Sequence, residues 1–232
     1  MEKMRKETVD IIGDLVNDIN LSFAIKTIID NGGNSYTLTT CNTLHLQTKF
    51  KITIDAVVYT ITEVDKDVSI TITGDSLPTA TEFDVYPAYY HHGTILSSNA
   101  ELAQIKDANN KTPLIFLHEV IEDKFYNKVS SQLERETTLK IFFLTQSNWA
   151  KNNTNDHYTS AIEPMRNLVY NFIDTLNKTR YIANIEEYRV KNHSLFANYL
   201  QEGYTEAIFD KNLSGCELNI TIPIRQSICI SC

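Results

Sequence analysis

"TTLKIFFLTQ", residues 137–146, decides how this chain is read. In an extended conformation Leu139, Ile141 and Phe143 face one side, and Phe142 and Leu144 the other. A strand apolar on both faces needs cover on both, so this one belongs at the centre of a sheet. Upstream, "KTPLIFLHEVIED" (111–123) carries a second apolar run, Leu114 to Leu117, and Pro113 marks a strand entry rather than a helix. "VIEDKFYN" and "SSQLERE" read as a polar connection between the two strands. Downstream, 147–160 reads as a loop ending in Ser160, a helix N-cap. Residues 161–177 follow with Ile162, Met165, Leu168, Val169, Phe172, Ile173 and Leu176 at helical spacing, and Pro164 in the first turn. "YIANIEEYRV" reads as a strand, 191–213 as a long loop, and "CELNITIPI" as the last strand. Residues 5–19 read as an amphipathic helix, with Val9, Ile12, Val16 and Ile19 in one stripe.

Between these elements, residues 21–93 change character. Short period-two runs rich in Val, Ile, Thr and Tyr are separated by tight turns at Asn31–Gly33, Asp55–Ala56 and 65–67. About five or six short strands in such a segment suit a small barrel or sandwich. "NAELAQIKDANN" follows, with a helical turn or two. The fold class expected is α+β: an antiparallel sheet with packed helices, tail-terminator-like, built from 1–20 and 94–232 and carrying 21–93 as an inserted all-β segment.

A net charge of −8, without a block of five or more basic residues, argues against nucleic-acid binding as the main activity. No apolar run reaches the roughly 18 residues of a membrane helix. The leader "MEKMRKETVDIIGDLV" has no apolar core, so we expect no secretory signal and an intracellular site, or one inside an assembly made in the cell. Cys229 and Cys232 form a terminal "CISC"; with Cys41 and Cys216 far away, that is half a zinc site, and we expect plain reduced thiols. Asn-x-Ser/Thr sequons at Asn152, Asn192 and Asn219 reflect the Asn- and Thr-rich composition and carry no glycan expectation.

His118-Glu119 looks like the start of a zinc-peptidase helix, but position 122 is Glu where the second His would stand. The plainer reading is a strand end. His91-His92 are adjacent on a strand and point to opposite faces, so they are poor joint ligands. Asp156-His157-Tyr158 precedes the long helix, with no nucleophile motif such as GxSxG to serve. Glu134-Arg135-Glu136 reads as solvated or intersubunit charge. We therefore expect no catalytic, cofactor-binding or metal residues.

The order of elements carries a resemblance. The N-terminal amphipathic helix, "TPLIFLHEV", "ERETTLKIFFLTQSNW", "DHYTSAIEPMRNLVYNFIDTLN" and "GCELNITIPI" together resemble phage tail-terminator or head–tail joining ring proteins, closest to neck and tail ring proteins of crAss-like phages. The likeness covers 1–20 and about 94–232 and rests on element order rather than on a catalytic signature. It implies a non-enzymatic virion protein made in the bacterial host cytoplasm. Such a protein forms a homo-oligomeric ring, hexamer or dodecamer, stacked on other rings, on a portal or on tail proteins. Its DNA-sized lumen passes DNA without specific binding. Residues 21–93 depart from the simplest pattern of that family. Two other classes stay open: a module that attaches fibres or carbohydrate through the β segment, and a hydrolase using His118, Glu119, Asp156 and His157. An aromatic-lined pocket on the β segment would favour the first, and convergence of the four side chains on one cleft the second.

Overall fold

The computed structural model describes residues 7–19, 22–43, 46–85, 88–105, 112–126, 133–147, 154–196, 198–201, 204–207 and 212–225. It is a mixed α+β protein, mostly strands with a few helices. Helix α1 (Thr8–Asn17) buries Ile11, Ile12, Leu15 and Val16, as its stripe predicts. Six antiparallel strands follow: β1 (Ser22–Gly32), β2 (Ser35–Thr40), β3 (Lys51–Ile54), β4 (Val57–Asp65), β5 (Ser69–Thr73) and β6 (Glu82–Val85). They close into a barrel in the order β1-β2-β5-β4-β3-β6. Of the two architectures the alternation allows, the chain adopts the barrel. Inward positions such as Leu38, Ile52, Ile61, Ile70 and Ile72 form a core of their own, and closure leaves no strand edge. Asp55 and Ala56 both take positive φ, 52° and 63°, in the two-residue β3–β4 turn. The Asp55 carboxylate accepts bonds from Thr79 and Ala80 and so ties down the approach to β6.

The second sheet begins where the β segment was expected to end. β7 (Tyr89–Gly93) pairs with β8 (Leu114–His118), and the pairing is parallel. Parallel neighbours need a crossover of a dozen or more residues, usually with a helix. The 94–113 connection supplies it with α2 (Ile95–Gln104), a full ten-residue helix rather than a turn or two. Its N-terminus is closed by a reciprocal Thr94–Ser97 capping box. The sheet order is β11 (Tyr188–His193), β14 (Leu213–Arg225), β10 (Leu133–Gln146), β8, β7, with β9 (Glu122–Phe125) also on β10. It is therefore mixed, not purely antiparallel.

β10 (Leu133–Gln146) is central, as its apolar run requires, between β8 and β14 (Leu213–Arg225). It is also longer than expected. The "VIEDKFYN" and "SSQLERE" stretches are not a mere connection: β9 pairs antiparallel with the start of β10. The long helix starts early. α3 (Thr154–His157), a π turn (Tyr158–Ile162) and α4 (Glu163–Lys178) follow without a break, so Ser160 lies inside the π turn and is no cap. Only Tyr188–His193 of the next segment is a strand, β11; Ile182 makes an isolated bridge to Ile224. The expected 191–213 loop holds a two-stranded hairpin, β12 (Asn198–Gln201) with β13 (Tyr204–Ala207), which among the described residues pairs with no other strand.

α1 and α4 cover one face of the sheet, burying Ile115, Leu117, Ile141, Phe143, Leu218 and Ile220 among Met165, Leu168 and Phe172. The other face carries a smaller cluster under α2 and Phe196: Leu114, Phe116, Phe142 and Leu144. Beyond it Lys140 is 45% exposed, so cover on this face stops part of the way along β10. Gly215 is required where β14 crosses β10: a Cβ there would lie 1.9 Å from the Phe143 carbonyl oxygen. Among the described residues no helix is long and apolar enough to cross a membrane.

Candidate functional site

Register builds one row of rings across the half-covered face. His91 of β7 stands opposite Phe116 of β8, and Phe116 opposite Phe142 of β10. His193 of β11 stands opposite Gly215, the partner of Leu144, and so lies diagonally from Phe142; with no side chain at 215 between them the two rings meet. The ring centroids are 6.0, 5.6 and 5.9 Å apart along the row. Both outer imidazoles hold a carboxylate. His91 Nδ1 is 2.7 Å from Glu101 Oε2, and the Tyr89 hydroxyl donates to Glu101 Oε1 at 2.5 Å. His193 Nε2 is 2.8 Å from Glu217 Oε2, while Asn219 donates to Oε1 and Lys140 lies 3.4 Å from it. Burial raises the Glu217 pKa, but the bonds from Asn219 and His193 and the charge of Lys140 outweigh it and hold the carboxyl below its ordinary value. A carboxylate behind an imidazole fixes its tautomer. These pairs orient rings, and no reacting group faces them among the contacts of the row.

Ser214, Ser147 and His157 form the cluster that most looks like chemistry. Ser214 Oγ donates to the Ser194 carbonyl at 2.6 Å. Its single proton is thereby committed, so Ser147 Oγ at 2.5 Å and His157 Nε2 at 3.0 Å both donate to it. A nucleophilic serine gives its proton to histidine; this one receives a bond from it. Burial lowers the His157 pKa, which suits a neutral ring donating one N–H.

The residues singled out in the sequence are thus scattered. His118 ends β8, and its Nδ1 accepts from the Val120 N–H. Leu117 pairs with Ile141, whereas Ser214, the partner of His157, pairs with Thr145. Four residues of strand, roughly 13 Å at about 3.3 Å each, keep these ends apart. His118-Glu119 and Asp156-His157 therefore do not share a cleft. His91 and His92 take opposite faces, and burial lowers the His92 pKa, helped by His91 and opposed by Glu119.

Arg135 departs from the expectation of solvated charge. It is 3% exposed, donates to Thr8 Oγ1 at 3.0 Å and lies 3.7 Å from Asp123, which binds the β9–β10 hairpin to α1. Cys41 is exposed and Cys216 buried; burial pushes the Cys216 thiol up to about 11. Cys229, Cys232 and Asn152 lie outside the described residues. Among the described residues no group of three or more His, Cys, Asp or Glu is placed to hold a metal ion.

Barrel and sheet meet at a second polar junction that the sequence reading missed. Gln47, on the crossover between β2 and β3, is buried; it accepts from Thr145 Oγ1 at 2.6 Å and donates to the Ser160 carbonyl at 2.7 Å. Lys66 pairs with Glu163 at 2.5 Å nearby, exposed to solvent. A cleft of about 260 Å³ lies between barrel and α4, lined by Phe23, Cys41, Asn42, Asn171, Asp174 and Lys178 among others. The aromatic side chains of the barrel, Tyr36, Tyr59 and Phe83, point inward.

No model of a known protein family, no curated protein and no solved structure matches this chain.

Proposed function

We propose that this protein is a structural component of a phage virion, a tail-terminator-like ring subunit at the head–tail junction or in the tail. The observation that supports it best is the contrast between its two sheets. The barrel closes on itself, whereas the mixed sheet keeps β7 and β11 as lateral edges on opposite sides. A subunit with two opposite open sides suits heterologous contacts, which close into a ring when the rotation closes. The β12–β13 hairpin adds support, because two strands alone are marginal in water and gain from a neighbouring surface. The ring, a hexamer or dodecamer, stacks on portal or tail proteins and passes DNA without gripping it, in keeping with a net charge of −8.

The polar clusters fit a protein without catalysis. The serine hydroxyl beside an imidazole is saturated with bonds, and the candidate acid–base residues are far apart. The fibre- or carbohydrate-binding reading has less support, since the barrel aromatics are buried in its core. Negative-stain images of the purified protein, with a map of the particle that contains it, test the proposal. Rings with a central lumen are expected; a monomer in both settings overturns it.

A further inference from the structure

We infer that copies of this chain join edge to edge, β11 of one copy pairing antiparallel with β7 of the next. This rests on the ring reading above and names the strands that make its contact.

Both edges are open. β7 and β11 are outermost in the sheet order, and no strand among the described residues pairs with their outer sides. On β7 the Tyr89 N–H donates to the Pro113 carbonyl at 2.8 Å, and the Glu119 N–H donates to the Gly93 carbonyl at 3.0 Å. Residues 89, 91 and 93 therefore bond β8, and the N–H and C=O groups of Tyr90 and His92 turn outward. On the far side the Ser147 N–H donates to the Asn212 carbonyl at 3.0 Å, which sets odd positions of β10 against even positions of β14. The odd positions of β14 then face β11, where they meet Arg189, Lys191 and His193. The main-chain groups of Val190 and Asn192 are left facing outward. An open edge of this kind is a template for another strand.

The strand directions match as well. β7 is parallel to β8, and each later step, β8 to β10, β10 to β14 and β14 to β11, is antiparallel. β11 therefore runs opposite to β7. A copy turned about an axis along the strands keeps its strand directions, so its β7 meets β11 antiparallel, and closure of the rotation gives a ring. One register covers the whole of β7 with outward groups facing each other: Tyr90 opposite Asn192, and His92 opposite Val190. It forms about four main-chain hydrogen bonds at each contact. It also brings together the half-buried Tyr90 and Val190, which end the main core on its two sides.

Side-chain charge selects this partner. Two copies of β11 paired about their middle would set Arg189 against Lys191, like charges directly opposite. On β7 the same two side chains come beside Gly93 and His91. The exposed Glu119 gives its N–H to Gly93, and Glu101, with its side chain 48% exposed, holds His91. Lys191 already lies opposite Glu217 within its own sheet, so these charges sort the edges while the main chain makes the contact.

The test uses the full chain. Wild type should oligomerise by light scattering as its concentration rises. In the oligomer the amide protons of Tyr90, His92, Val190 and Asn192 should exchange at least tenfold more slowly than in the diluted monomer. Val190→Pro removes an outward N–H that the sheet does not use, and an edge strand accepts proline there. It should keep the wild-type fold by circular dichroism and weaken assembly at least tenfold. If Val190→Pro fails to fold, a disulfide replaces it. His92→Cys with Val190→Cys, in a chain with Cys41, Cys229 and Cys232 changed to Ser, should link copies into a ladder of multiples on oxidation. Either new cysteine alone should not pass the dimer. Three results overturn the inference and leave the ring reading to another interface: an oligomer whose edge amides exchange as fast as in the monomer, a folded Val190→Pro with undiminished assembly, or a double-cysteine chain that gives no ladder. A wild-type chain that stays monomeric at high concentration also overturns it, and the copy number of the chain in the particle then decides the ring reading separately.

Discussion

Gln47 donates to the carbonyl oxygen of Ser160 from 2.7 Å away, across the junction between barrel and helix. In a regular α-helix that carbonyl would accept from residue 164, but Pro164 has no N–H. The chain widens into a π turn at Tyr158–Ile162, and a side chain from the barrel supplies a donor. The other end of the same amide accepts from Thr145 at the tip of β10. One buried glutamine thus joins crossover, helix and central strand.

Gln47→Ala removes both bonds and takes from the buried Thr145 hydroxyl its acceptor on Gln47. A loss of roughly 1–3 kcal/mol is expected from denaturant unfolding. Gln47→Glu keeps the acceptor for Thr145 but sets a carboxylate against the Ser160 carbonyl, so it should not rescue. A loss below about 0.5 kcal/mol for Gln47→Ala would mean that water replaces the amide without penalty.

Two glycines separate backbone freedom from space. Gly33 takes φ +61 with nothing within 4 Å of an added Cβ, so Gly33→Ala meets only the left-handed backbone penalty, about 1–2 kcal/mol. At Gly215 the added Cβ would stand 1.9 Å from the Phe143 oxygen in the central ladder. Gly215→Ala should cost more than about 4 kcal/mol or prevent folding, and it should also disturb the Phe142–His193 contact above it. Equal melting temperatures for the two variants would refute this division.

The strongest hydrophobic patterns were legible in the sequence. β10 was placed centrally because both of its faces are apolar, and the α4 stripe and the alternating barrel strands follow from periodicity alone. What escaped depends on partners distant in sequence. β9 has four exposed residues and no apolar alternation, so only its pairing with Arg135–Thr138 makes it a strand. Arg135 is polar by type and buried by position, because Thr8 and Asp123 come to it from other elements. The parallel direction of β7 hangs on α2, whose mixed composition gives only a weak helical stripe. His193 and Glu217 meet through the β11–β14 register, which no local spacing announces.

Phe172 is fully buried in α4 and packs edge-on to Phe143, with ring centroids 5.4 Å apart. Phe172→Ala should cost roughly 3–5 kcal/mol through lost burial and a residual cavity. A change below about 1 kcal/mol would place this stripe at a surface that the fold does not need.

Burial holds His157 neutral, so its folded pKa lies below the unfolded value near 6.5. The unfolded chain then binds a proton that the folded chain refuses. The His157 contribution is intact above pH 6.5 and is lost as pH falls from there towards the folded pKa. His92 shifts in the same direction and adds to the slope. The melting temperature should fall between about pH 7 and pH 5. His157→Gln, which can still donate to Ser214, should flatten that fall; an unchanged pH profile would show that the ring does not titrate with folding.

The proposed channel makes a prediction about DNA. Each Lys or Arg on a phosphate adds affinity by counterion release, and tight non-specific binders use about six to ten such contacts. Several cations among the described residues are already engaged: Lys66 by Glu163, Lys124 by Glu136, Lys140 by Glu217, and Arg135 is buried. Arg189 and Lys191, exposed on one face of β11, offer about two contacts, for a salt slope no steeper than about −2. A labelled duplex should therefore show no retained binding at physiological salt, with weak binding only when salt is low. Arg189→Glu with Lys191→Glu should abolish that residue of binding. A slope equivalent to six or more phosphates would mean that the sheet face and further Lys and Arg of the chain grip DNA together, and the passive-channel reading would then give way to a DNA-holding ring.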